Sequence, residues 1–212
     1  MIKQFQFNHI QVNTYVIYDD TKQCAIVDPG METTAENDEL INFLEKNELS
    51  PKYILLTHSH IDHVAGLEIL CQKYNLPATL HNDALKILHQ AEIYASVMNF
   101  EIASLKNLPT QSIEDKEVIK VGDIEIEALA VPGHAAGSMA YCLHEEQVVF
   151  TGDALFCQSI GRTDLPTGNY DQLIENLKTK ILTLPNDYLI LPGHGPESTI
   201  GDEKKYNPFL NS

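Results

Sequence analysis

The segment THSHIDH, Thr57–His63, follows an apolar run and contains three histidines and an aspartate within six residues. Imidazole nitrogens and carboxylate oxygens are the ligands that zinc and similar divalent ions prefer. In an extended loop the alternating residues His58 and His60 point the same way and could share one ion. The adjacent residues Asp62 and His63 could turn toward a second ion. The spacing therefore predicts a metal site at the end of a strand.

Three further apolar runs also end on a side chain that can bind a metal. The runs EALAVPGH, VVFTGD and YLILPGH end on His134, Asp153 and His194. A glycine precedes each of these residues and lets the backbone turn sharply near the site, at Gly133, Gly152 and Gly193. Loops held by the ends of packed strands are where a rigid set of ligands is expected. We therefore expect these loops to meet the first one.

Together the four runs offer five histidines and two aspartates: His58, His60, Asp62, His63, His134, Asp153 and His194. This set is too large for one tetrahedral ion and suits two ions that share one carboxylate. A chance cluster of surface histidines is the alternative, and the agreement of four strand ends disfavours it. The other histidines are expected to be ordinary surface or core residues: His9, His81, His89 and His144.

The composition limits the classes of function. The 212 residues, 43% of them hydrophobic, predict one globular domain over residues 1–212. A formal charge of -16, from 30 acidic and 14 basic residues, repels nucleic acid and anionic lipid, so neither is expected as a partner. The sequence shows neither an apolar run of membrane-spanning length nor a signal-peptide pattern, so we expect a cytoplasmic protein without membrane contact.

Predicted strands and helices alternate along the chain. Val12–Tyr18 and Cys24–Asp28 are predicted to pair as a hairpin, and apolar residues at helical spacing predict a helix over Glu36–Asn47. Asn99–Ser112 shows little periodicity and is predicted to be a loop. Further strands are predicted at Tyr53–Thr57, Glu117–Val121, Ile124–Val131, Ser138–His144, Gln147–Thr151 and Tyr188–Leu191. Further helices are predicted at Val64–Tyr74, at Asn82–Phe100 (one or two helices, capped by Asn82) and at Asp171–Leu184. These elements favour an α/β sandwich of two sheets, built mostly of hairpin strands and covered by helices.

The motif HSHIDH and the later residues His134, Asp153 and His194 resemble the signature of the metallo-β-lactamase superfamily. The order and spacing match from NTYVI near the start to LPGHGPES near the end. The resemblance implies an αββα sandwich with two mixed sheets. It also implies two metal positions: one held by His58, His60 and His134, the other by Asp62, His63 and His194, with Asp153 between them. Superfamily β-lactamases with a cysteine ligand carry it where this chain has Asp153, which disfavours a β-lactamase.

Two longer stretches, TGDALFCQSIGRTDLPTGN and GHGPESTIGDEKKYNPFL, resemble the short glyoxalase II-like hydrolases. This resemblance to hydroxyacylglutathione hydrolases implies a binuclear metallohydrolase that cleaves a thioester such as S-D-lactoylglutathione to a hydroxy acid and a free thiol. A hydroxide held between two divalent ions would attack the carbonyl, with Asp62 and Asp153 as catalytic residues. The expected ions are zinc, with iron or manganese as alternatives. No C-terminal helical extension of the kind that binds glutathione in longer glyoxalase II enzymes is expected.

Several alternatives remain open from the sequence. Arg162 could bind a substrate carboxylate, or it could pair with Asp164 and fix its loop, which we favour. A mono-iron persulfide dioxygenase of the same superfamily would use only His58, His134 and Asp153 as ligands. A lactonase is compatible with the same ligands. A non-catalytic metal-binding protein is disfavoured, because a structural zinc site usually has four ligands. The oligomeric state is open.

Overall fold

Two sheets form the centre of the fold in the computed structural model, which describes residues 1–102 and 104–211. The strands in chain order are β1 (Ile2–Phe7), β2 (Val12–Tyr18), β3 (Gln23–Val27), β4 (Ser50–Leu55), β5 (Ala78–Leu80), β6 (Thr110–Ser112), β7 (Val118–Val121), β8 (Ile124–Ala130), β9 (Met139–Leu143), β10 (Val148–Gly152), β11 (Leu155–Phe156), β12 (Ser159–Ile160), β13 (Leu189–Pro192) and β14 (Ser198–Thr199). Within the described residues, the first sheet has the order β1-β2-β3-β4-β5-β6 and the second β14-β13-β10-β9-β8-β7. Strands β11 and β12 form a separate short hairpin.

Helices cover the outer face of each sheet. They are α1 (Thr34–Lys46), α2 (Ile61–Val64), α3 (Leu67–Tyr74), α4 (Leu85–Leu88), α5 (Ala91–Met98), α6 (Tyr170–Asn176) and α7 (Ile200–Tyr206). Helix α1 begins at a capping box, in which the Thr33 hydroxyl accepts from the Glu36 amide while the Glu36 carboxylate accepts from the Thr33 amide. In the part of the chain that the structure describes, none of the helices is long and apolar enough to cross a membrane.

Alternate residues of the central strands enter different cores, which gives four layers. In β3, Ala25 and Val27 pack between the sheets with Phe150 of the second sheet. Their neighbours Cys24 and Ile26 pack on the other face, under the helices that cover the first sheet. Because both faces of such a strand are buried, its sequence is a continuous apolar run rather than an alternating one. The expected αββα sandwich with two mixed sheets is confirmed.

Some local expectations were wrong. The first sheet is not built mostly of hairpins, because β3–β4, β4–β5 and β5–β6 are all parallel pairs. The predicted loop Asn99–Ser112 ends in β6, and its residue Ala103 lies outside the described residues. Asn82 does not cap a helix: the His81 side chain accepts from the amide of Asp83 and caps a short 3-10 turn. Strand β1 was not expected at all.

Candidate metal centre

Loops from both sheets meet at one end of the sandwich. The first sheet contributes the loop that follows β4 and carries the HSHIDH motif. In the second sheet β10 and β13 are parallel neighbours, with Gly152 paired to Pro192, so the residues that follow them leave the same edge. The Met139 amide donates to the Thr57 carbonyl oxygen at 2.7 Å and connects the two sheets beneath this end. Strand direction and pairing thus bring four separate loops together.

Three histidines form the first group at this end. The ligand atoms of His58, His60 and His134 all lie within 4.8 Å of one another. His60 Nδ1 lies 3.0 Å from His134 Nε2. The rings of His58 and His60 are nearly perpendicular, at 86°, with centroids 4.7 Å apart. This group joins the motif loop of the first sheet to the loop after β8.

A second group lies beside the first. Asp62 Oδ2 is 3.0 Å from His194 Nε2 and 3.4 Å from His63 Nε2. Asp153 lies between the groups: its Oδ1 is 3.3 Å from His63 Nε2, and its Oδ2 is 3.7 Å from His134 Nε2. All seven predicted residues are therefore brought together.

The chemistry of this cluster fits divalent ions. His58 Nε2, His63 Nε2 and Asp153 Oδ1 are buried, and each lacks a hydrogen-bond partner in the described protein. A buried polar atom without a partner costs about 1–3 kcal/mol, so unpaired atoms concentrated at one place need a compensating ligand. Imidazole nitrogen and carboxylate oxygen are suitable donors for zinc, iron or manganese.

Asp28 supports the cluster from below and was missed in the sequence. Its carboxylate accepts from the Thr57 amide at 2.7 Å, from the Thr57 hydroxyl at 2.6 Å and from His63 Nδ1 at 2.9 Å. Because Nδ1 of His63 donates to Asp28, Nε2 of the same ring is directed at the centre. The available signal is the aspartate that ends the apolar run of β3, in IVDPG.

Two other histidines are oriented in the same way. His134 Nδ1 donates to the Arg162 carbonyl oxygen at 2.8 Å, so its Nε2 faces the cluster. The Thr57 hydroxyl, which donates to Asp28, accepts from His58 Nδ1 at 3.1 Å. Fixing one ring nitrogen in this way selects the tautomer whose other nitrogen can bind a metal.

Strand β2 holds the loop that carries His194. The side-chain amide of Asn13 and the hydroxyl of Tyr15 both donate to the Pro192 carbonyl oxygen, at 3.0 and 2.7 Å. The Asn13 amide donates to the Gly193 carbonyl oxygen at 2.7 Å. A residue of the second sheet is therefore positioned by a strand of the first.

Glycines allow the close approach that the sequence predicted. The φ angle is +140° at Gly133 and +49° at Gly152, a region that favours glycine. At Gly193 a Cβ atom would lie 2.2 Å from Asp153 Oδ1 and 2.7 Å from His63 Cε1. A side chain at this position would displace two residues of the cluster.

Burial and neighbouring charges shift the pKa values of the histidines in the cluster in opposite directions. Burial, together with the neighbouring His63, lowers the pKa of His58 well below its usual value, and burial lowers the pKa of His60 to about 4. Burial also acts to lower the pKa of His63, but the carboxylates of Asp153 and Asp62 outweigh it and raise that pKa well above its usual value. The pKa of Asp153 is lowered because the positive charge of His63 outweighs burial. In the metal-free protein, His58 and His60 are thus neutral, while His63 is a cation beside ionised aspartates.

Comparison with known proteins identifies the family. The sequence model of the metallo-beta-lactamase superfamily matches residues 8–194. The chain belongs to this superfamily. It is similar to the hydroxyacylglutathione hydrolase GloC of Haemophilus influenzae, with 39% identity over 204 residues that cover 95% of this chain and 94% of that protein.

Solved structures of the metallo-beta-lactamase superfamily share the whole fold. The crystal structure of the B3 metallo-beta-lactamase BLEG-1 superposes with a TM-score of 0.90 at 36% identity and covers 100% of both chains. The crystal structure of TTHA1623 in a di-iron-bound form has a TM-score of 0.88 at 33% identity and covers 98% of this chain and 100% of that one. The expected family is confirmed, and with it the class of metal-binding hydrolases.

A cavity of about 260 Å³ opens above the cluster. Its polar base is formed by His60, Asp62, His134, Asp153 and His194. Its apolar walls are formed by Ile10, Ile61, Tyr94, Met98, Leu165 and Pro166. The cavity places the cluster within reach of a small molecule that has an apolar part.

Arg162 lies at the cavity and forms an ion pair with Asp164. Its guanidinium donates twice to the Asp164 carboxylate, at 2.8 Å each, with 63% of the arginine side chain and 68% of the aspartate side chain exposed. The ion pair predicted for this loop is therefore present.

Metal loading of the metal-free protein at pH 7 is expected to release about one to two protons per chain. The pKa of His63 is raised well above its usual value, so its ring is protonated at pH 7. The pKa of His194 is also raised, because its hydrogen bond to Asp62 outweighs burial, so its ring binds a proton more readily than an ordinary histidine. Since a metal binds only the neutral ring, affinity should fall as the pH falls below these raised values. Titration calorimetry in two buffers of different ionisation enthalpy measures the protons released. Equal enthalpies in both buffers would contradict the prediction.

Proposed function

We propose that this protein is a binuclear metal-dependent thioesterase, with S-D-lactoylglutathione as its representative substrate. The observation that carries the proposal is the convergence of seven histidines and aspartates, three of them with unpaired buried atoms, at the base of a cavity. The similarity to a protein named hydroxyacylglutathione hydrolase supports the choice of a thioester.

The ligands would divide between two ions. His58, His60 and His134 would hold one ion, Asp62, His63 and His194 the other, and Asp153 would contact both. We propose zinc, and the di-iron form of TTHA1623 supports iron as the alternative. Divalent ions bound there would supply Lewis acidity toward the thioester carbonyl and would lower the pKa of a water molecule.

The protein's own groups would orient the reactants. The pKa of Asp62 is lowered in the metal-free protein, because the charge of His63 outweighs burial. A bound ion would also favour its ionised form, so this carboxylate would accept a proton from the attacking water. His194 Nε2 lies 3.0 Å from Asp62 Oδ2, so the two side chains face the same proposed metal position. The net reaction adds water across the C–S bond and yields a carboxylic acid and a thiol. A thiolate is a good leaving group, so it needs no acid from the protein.

The test is to purify the protein without a metal-affinity tag, quantify its bound metals and follow thiol release from S-D-lactoylglutathione. We expect about two ions per chain and metal-dependent turnover. About one iron per chain, with oxygen consumption on a persulfide and no thiol release, would replace the proposal with a persulfide dioxygenase. Two ions without thiol release would keep the hydrolase class, reject this substrate and direct the search to other thioesters and to lactones. A metal-loaded protein inert toward all three would indicate a non-catalytic role.

A further inference from the structure

The walls of the cavity differ in character from its base. Helix α5 contributes Tyr94 and Met98 to the walls, and the loop that follows β12 contributes Leu165 and Pro166. These side chains can remove an apolar group from water, which is favourable in proportion to the area buried. They offer little to a carboxylate or an ammonium group, whose desolvation they would leave uncompensated.

The charged residues at the cavity also disfavour an anionic substrate group. Apart from histidines, Arg162 is the one basic residue among the described residues that line the cavity, and Asp164 already occupies its guanidinium with two hydrogen bonds. An anionic substrate group would share that guanidinium with Asp164 in an exposed position, where ion pairs contribute little. Away from the proposed ions, the formal charge of -16 adds repulsion toward anions.

We infer that the cavity recognises the acyl group of its thioester through apolar contacts, so that acyl groups with a longer aliphatic chain are preferred. The inference rests on the proposed thioesterase function. Biological thiols that carry acyl groups bear carboxylates, amides or phosphates, for which the apolar walls have no partner. The acyl chain is therefore the part that fits between α5 and the Leu165–Pro166 loop, while the thiol carrier extends into solvent.

The test varies the acyl group while the thiol stays constant. Acetyl, butyryl and hexanoyl thioesters of the uncharged thiol N-acetylcysteamine are compared with the same three thioesters of glutathione, using the metal-loaded enzyme. We expect kcat/KM to rise about fourfold per methylene until the cavity is filled, with the same slope on both thiols. D-Lactoylglutathione should react more slowly than butyrylglutathione.

The thioesterase function and the preference for an aliphatic acyl group are contradicted by different results. If metal-loaded protein hydrolyses none of these thioesters, the thioesterase function itself is wrong. If it hydrolyses them with a flat or falling dependence on chain length, the thioesterase function stands and the acyl inference is overturned. A preference of more than about tenfold for glutathione at equal acyl length would also overturn it, because such a preference requires recognition of the thiol carrier.

Two neighbouring residues of α5 give a matched pair of variants. Met98, 37% exposed, lines the cavity, whereas Val97, 75% exposed, does not. Met98→Ser should lower the ratio of hexanoyl to acetyl kcat/KM by about threefold to tenfold, while Val97→Ser should leave that ratio unchanged. Equal ratios in Met98→Ser, Val97→Ser and the unsubstituted protein would overturn the inference. Thermal melting of both variants checks that each is folded, and the ratio is internal to each preparation.

Discussion

Replacing Asp153 with alanine is expected to lower kcat/KM for thioester hydrolysis by about a thousandfold or more, the equivalent of several kcal/mol of transition-state stabilisation. Asp153 lies between the two groups of ligands, with Oδ1 3.3 Å from His63 Nε2 and Oδ2 3.7 Å from His134 Nε2. Its removal takes a shared ligand from both positions and leaves His63 without one of the charges that raise its pKa. Bound metal should fall together with the rate, so both are measured on the same preparation.

Asp187→Ala is the control for this prediction. Asp187 is exposed and precedes β13, at the end of that strand opposite to His194. Asp187→Ala removes one negative charge next to the same sheet, at a position distant from the cluster. An Asp153→Ala protein that kept its metal content and a rate within about tenfold of the Asp187→Ala protein would remove Asp153 from the proposed centre.

Asp28→Ala is expected to have the largest effect on stability, about 3–5 kcal/mol in the free energy of unfolding. The change leaves the Thr57 amide and the cationic ring of His63 buried without their acceptor. Metal affinity should also fall by about tenfold to a hundredfold, since His63 loses the contact that fixes its ring. Urea unfolding of the metal-free protein gives the first quantity, and competition with a coloured chelator gives the second.

Asp38→Ala and Asp28→Asn show whether the loss of stability comes from the buried acceptor oxygens of Asp28 or from the removal of any carboxylate. Asp38→Ala removes an exposed carboxylate on α1 and should change the free energy of unfolding by less than about 0.5 kcal/mol. Asp28→Asn keeps one of the two acceptor oxygens, so its free energy of unfolding should lie between that of Asp28→Ala and that of the unsubstituted protein. If Asp28→Ala unfolded at the same urea concentration as Asp38→Ala, the buried carboxylate would have no stabilising role.

The seven residues of the cluster could be found from the sequence because each lies in a segment that begins where an apolar strand ends. A buried strand fixes the position at which its following loop begins. The polar residues that follow several apolar strands can therefore be expected to lie close together. The same applies to the fold, where long runs such as that of β2 were found to within a residue or two. The three-residue strands β5 and β6 were not found, because they are too short to show a period and depend on parallel partners distant in the chain.

The roles of Asp28 and of the residues in the cavity walls could not be predicted from the sequence, for a different reason. The partners of Asp28, Thr57 and His63, lie 29 and 35 positions away, so the sequence around Asp28 does not reveal a shared acceptor. Ile10 and Met98 are ordinary apolar residues, and only the folded chain brings them to one cavity. Residue type predicts a ligand well, but it does not predict which apolar side chains remain free to meet a substrate.

The hydrogen bonds that join the two sheets beneath the cluster tie local motion at the site to the stability of the whole fold. Thr57 accepts from Met139, and Gly193 accepts from Asn13, so the backbone next to His58 and His194 is bonded to the opposite sheet. Opening either loop breaks a hydrogen bond between the two sheets, so we expect these loops to belong to the most protected cooperative unit in amide hydrogen exchange. The cluster should therefore be lost in one step with global unfolding, and not by the fraying of one loop at a time.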